Sequence, residues 1–273
     1  MNVLQRLTFL LLVSPAACDR DQNQAANAAA AITLRVNTTQ RSTFHTVAGD
    51  TLSDSARVLE IHPEHDGDAL VTLFADPGRR VSAGLAIVDR KMAAPQLLWP
   101  DSVTTVWWTG PHMLAFTTSN GSGIRLAVDI HAAKLRVADT SATALTKPAA
   151  PLSGDSTMVL RARAYTDSVR SQIRGASQPS ALTYSVMRLV SSPDGRLAAF
   201  HTAARDAQGA LMNPAWYAID RESGTVIVID QVTGSIVELP ERAGQWSEAG
   251  SFFYAKGRAL WEAEIARATL ASP

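Results

Sequence analysis

The chain has a single cysteine, Cys18, among its 273 residues, which excludes any intramolecular disulfide and any cysteine-built metal cluster. It also lacks an excess of charge. Lys and Arg number 25 and Asp and Glu 25, so no global field draws it toward nucleic acid, and no nucleic-acid partner is expected. Long apolar runs are missing as well, because charged or turn residues interrupt each one well short of the roughly 20 residues a membrane-spanning helix needs. Neither the G-x-G-x-x-G pattern nor the lysine-tipped phosphate loop occurs, and Gly121-Ser122-Gly123 lacks the spacing of a nucleophile elbow. What remains is ordinary globular composition: 46% hydrophobic and 18% charged, with a mean hydropathy of +0.01.

The amino end has the layout of an export signal. Arg6 precedes the apolar run Leu7-Thr8-Phe9-Leu10-Leu11-Leu12-Val13, and the small residues Ala16-Ala17 lead directly to Cys18. A lone cysteine in this place resembles the lipobox of bacterial lipoproteins, where the thiol is acylated and becomes the first mature residue. That family usually carries Leu, Val or Ile three residues earlier, where this chain has Pro15. The resemblance implies that residues 1–18 are a lipoprotein signal with Cys18 as the lipidated residue, that 19–30 form a flexible tether, and that the protein sits in the bacterial envelope, facing the periplasm or the exterior. The alternative is an ordinary secretory signal cut near Ala17.

The body begins near residue 31, where Ile32-Thr33-Leu34-Arg35-Val36-Asn37 alternates with period two. Strand-like runs then recur, bounded by Gly, Pro, Asp or Asn: Leu70–Phe74, Gly84–Asp89, Thr104–Trp108, His112–Thr118, Gly123–Ile130, and later Ser185–Val190, Leu197–Thr202, Ala215–Asp220, Thr225–Ile229, Ser235–Leu239, Ser251–Tyr254 and Ala259–Ile265. The two series read as copies, at about 55–137 and 183–267. Arg57–Phe74 parallels Met187–Phe200, Leu85–Arg90 matches Trp216–Arg221, Trp107–Phe116 matches Trp246–Ala255, and Ile124–Ile130 matches Arg258–Ile265. Each copy runs about 80 residues, close to two four-stranded blades of roughly 40 residues.

Ser192-Pro193-Asp194-Gly195, leading into Arg196-Leu197-Ala198-Ala199-Phe200, resembles the repeat of bacterial propellers related to the Tol-system periplasmic protein. The resemblance implies an all-β, propeller-like domain over 31–273 with two blade-like units per copy; an irregular propeller or a two-sheet sandwich fits the same pattern. In this reading Asp194-Gly195 is a tight turn and Phe200 lies in the core. Between the copies, Ala138–Gly154 reads as a linker. A helix follows, with Met158, Ala162, Tyr165, Val169 and Ile173 on one face and Arg163, Arg170 and Arg174 on the other.

His62-Pro63-Glu64-His65-Asp66-Gly67-Asp68 is the densest polar cluster, and His62, His65, Asp66 and Asp68 are candidate metal ligands by chemistry. The internal match places Asp66-Gly67 on Asp194-Gly195, a hairpin turn without histidine, so the expectation is a turn with no metal and no cofactor. The tryptophans, mostly at strand positions, are expected to pack between sheets. The expected role is a lipid-anchored envelope binding or assembly module of unknown ligand, with the membrane and other envelope proteins as candidate partners. The alternative is an envelope hydrolase with a loop-built site; no catalytic residue is assigned.

Overall fold

A computed structural model describes residues 32–47, 50–89, 95–119, 123–129, 134–139, 158–166, 183–205, 211–231 and 240–269. Cys18 and the 19–30 segment, the strand expected at Ser235–Leu239, and Val169, Arg170, Ile173 and Arg174 of the helix lie outside them.

The chain opens on β1 (Ile32–Thr43), followed by the short pair β2 (Thr46–Val47) and β3 (Asp50–Thr51). The first blade is β4 (Arg57–Pro63), β5 (Ala69–Asp76), β6 (Val81–Asp89) and β7 (Gln96–Trp99). The second is β8 (Val103–Gly110), β9 (Met113–Thr118), β10 (Gly123–Asp129) and β11 (Lys134–Asp139). Helical residues 158–166 precede the third blade, β12 (Thr183–Ser191), β13 (Leu197–Arg205), β14 (Leu211–Asp220) and β15 (Val226–Gln231). The fourth holds β16 (Pro240–Trp246), β17 (Phe252–Lys256) and β18 (Ala259–Thr269), and its outer strand is β1, from the other end of the chain.

Each of the four blades is an antiparallel sheet of four strands, and the last is completed by the amino-terminal strand over eleven register pairs from Ile32↔Thr269 to Thr43↔Ala259. This is propeller-like architecture, with the closing sheet stapled by both chain ends. A two-sheet sandwich is excluded by the pairing, and Ile32–Val47 adds a closing strand to the fourth blade.

The packing follows from alternation along the strands. One face of the first blade, with Val58, Ile61, Leu70, Phe74 and Val88, packs on Ala243, Phe253, Ala255 and Leu260 of the fourth. Its other face, with Val71, Leu73, Leu85 and Ile87, meets Val103, Val106, Leu114 and Phe116 of the second. The third blade sets Trp216, Ala218 and Ile229 against Trp246, Phe252 and Tyr254 of the fourth. Met158 and Ala162 of the helix cover its opposite face at Phe200, Tyr217 and Ile219. Trp107, Trp216 and Trp246 are buried and the rings of Trp99, Trp108 and Trp261 pack against the same cores.

Two indoles lock neighbouring blades in the same way. Trp108 Nε1 on β8 donates to the His62 carbonyl on β4 at 3.0 Å, and Trp246 Nε1 on β16 donates to the Val190 carbonyl on β12 at 2.9 Å. Each joins the first strands of consecutive sheets. Trp108→Phe and Trp246→Phe are each expected to cost about 1–3 kcal/mol, because a carbonyl loses its donor and the smaller ring leaves a gap in the packing. Urea denaturation measures this, and a cost near zero for both would show that the bonds hold nothing.

Asp101, in the link between the first two blades, accepts from the Ser82 amide and hydroxyl at 2.8 Å each and from the Ala83 amide at 2.9 Å. Burial pushes its carboxyl upward, but those donors outweigh it and hold the carboxyl at about 2. A depressed carboxylate contributes stability that is full above its unfolded value near 4 and is lost as pH falls through about 2. Thermal melts should therefore show Asp101→Asn less stable than the parent at pH 7, with the gap closing near pH 2.

Candidate functional site

In each described blade the turn joining the first and second strands falls at one end of the domain, together with the β14–β15 turn and the start of β1. These turns form for local reasons. In the first blade the Glu64 amide bonds to the Ala69 carbonyl at 2.8 Å and the Gly67 amide to the Glu64 carbonyl at 2.9 Å. In the third, the Ser192 amide bonds to the Leu197 carbonyl at 2.8 Å and the Gly195 amide to the Ser192 carbonyl at 2.9 Å. Gly67 and Gly195 have φ of 78° and 68°, the left-handed region that glycine enters without steric cost. Asp194 accepts from the Ser192 hydroxyl at 2.6 Å and the Arg196 amide at 3.0 Å; burial works upward on its carboxyl, and these bonds with the Arg196 charge hold it below the usual range.

The candidate ligands of the His62–Asp68 segment are separated here. His62, on β4, pairs with Glu60 at 3.0 Å. His65, in the turn, pairs with Glu248 of the fourth blade, and its carbonyl accepts from the Ala249 amide at 3.0 Å. Asp66 Oδ1 accepts from the Asp68 amide at 2.9 Å, an internal turn bond. Among the described residues no group of three or more His, Cys, Asp or Glu is arranged to hold a metal ion.

Two residues not marked as candidates carry more of the structure at this end. Glu64 is 3% exposed and accepts from the His112 amide at 2.6 Å, with its carboxylate 2.9 Å from His112 Nδ1. It thereby ties the first blade to the second. Arg41, the extra residue where the β1–β18 register shifts, forms an ion pair with Glu262 and reaches the Gly67 and Asp68 carbonyls at 3.4 and 3.3 Å. It ties the fourth blade to the first. A sequence signal existed for Glu64 alone, as a carboxylate where the matching turn has the capping Ser192; Arg41 and Glu262 lie 221 residues apart and share no local pattern.

Another polar group is built between the third and fourth blades. The Tyr254 hydroxyl donates to Asp230 Oδ2 at 2.9 Å and Lys256 Nζ donates to Oδ1 at 2.8 Å. Burial first, then the Asp230 charge and hydrogen bond, push the Tyr254 phenol far above its ordinary value, so it stays protonated at neutral pH and serves as a fixed donor. Polar contacts that bridge blades among the described residues thus include Glu64 with His112, His65 with Glu248, and Asp230 with Tyr254 and Lys256.

No protein-family model matches the chain, and no curated protein matches it. Among solved structures, it aligns with the β-propeller domain of Myceliophteria thermophila Cps50 (Swd1) over 77% of this chain and 52% of that one, at 14% identity and a TM-score of 0.23. The periplasmic gluconolactonase PpgL of Pseudomonas aeruginosa aligns over 87% and 62%, at 13% identity and 0.24, and a Dos1 propeller over 75% and 54%, at 10% and 0.20. The chain spans between about half and two thirds of the length of these proteins. Scores this low carry no argument, and the propeller-like assignment rests on the strand pairing itself. Among the described residues, no helix is long and apolar enough to cross a membrane.

Proposed function

We propose that this chain is a lipid-anchored binding or assembly module of the bacterial cell envelope, held to the membrane through Cys18 and presenting its propeller-like domain to other envelope proteins. The observation that carries the reading is the place of the sole cysteine, directly after Ala16-Ala17 and a short distance before Ile32. Ile32 opens the strand that closes the fourth blade, so a pull on the anchor is borne by an eleven-pair ladder. A shear-loaded ladder of this kind shares the load among many bonds. Binding is favoured over hydrolysis because the described histidines and carboxylates around His62–Asp68 take separate partners, Glu60 for His62, Glu248 for His65 and His112 for Glu64, where a hydrolytic site needs an acid, a base and a nucleophile converging on one point.

Mass spectrometry of the mature amino terminus tests the anchor. The expected result is a chain beginning at Cys18 with acyl mass added. An unmodified terminus elsewhere would overturn it.

A further inference from the structure

We draw no further inference here: the strongest candidate, the side-chain pair of buried Glu64 and exposed His112 where the turn of the first blade meets the turn of the second, belongs to the site already described, and nothing in the structure shows what its imidazole would act on or bind.

Discussion

Phe200→Ala is expected to lower the free energy of unfolding by about 3–5 kcal/mol, while Gly195→Val, at the head of the same hairpin, lowers it by about 1–2 kcal/mol. Phe200 is 0% exposed on β13. Its ring stacks on Tyr217 at 5.3 Å and meets the edge of Tyr165 at 6.1 Å, so alanine removes the centre of the cluster that seats the helix on the third blade. The vacated volume is enclosed by sheet and helix and cannot collapse freely. At Gly195 the cost has another origin. Its φ is 68°, and the nearest atom to an added side chain is Arg221 Nη1 at 3.7 Å, an ordinary contact; space is available and only the backbone is strained. Urea denaturation of both variants reads the ordering, and a neutral Phe200→Ala would contradict the packing.

Arg41→Ala is expected to cost about 3–5 kcal/mol, because it leaves the Glu262 carboxylate without its cation in a nearly dry site. The two side chains are only 6% and 8% exposed. Arg41 sits where the β1–β18 register shifts between Gln40 and Ser42; a bulge re-aims its residue, and here the guanidinium points to the turn of the first blade and lies 5.7 Å over the Phe253 ring. Replacing both partners, Arg41→Met with Glu262→Met, should recover much of the loss, since two apolar chains of similar length leave no buried charge. The double-variant cycle measures this by denaturation. Simple additivity of the two single losses would show that the residues act independently.

The strands that alternate or carry β-branched and aromatic residues were legible in the sequence, and so was the Asp194-Gly195 turn. The matched segments occupy corresponding places: Arg57–Phe74 and Met187–Phe200 lie in the first two strands of the first and third blades. Beside the short pair Thr46–Val47 and Asp50–Thr51, three blade strands gave no signal. Pro240–Trp246 contains Pro, Gly and two charged residues, and it is a strand because of what packs on it. A side chain at Gly244 would stand 2.6 Å from Trp216 and 2.7 Å from Phe252, so glycine admits two rings that β-propensity cannot anticipate. Gln96–Trp99 and Lys134–Asp139 are short outer strands defined by their partners. In the His62–Asp68 cluster, neighbours along a strand and its turn point to different faces, and their partners, Glu60 for His62, His112 for Glu64 and Glu248 for His65, could not be read from the local sequence.

Membrane fractionation of cells producing the protein tests the central claim most directly, comparing the natural chain with one in which an ordinary secretory signal replaces residues 1–18. The anchored account predicts that the natural chain sediments with membranes, resists a high-salt wash and is released by detergent, whereas the replaced chain leaves the membrane fraction in high salt. Equal recovery of both in the soluble fraction would contradict it.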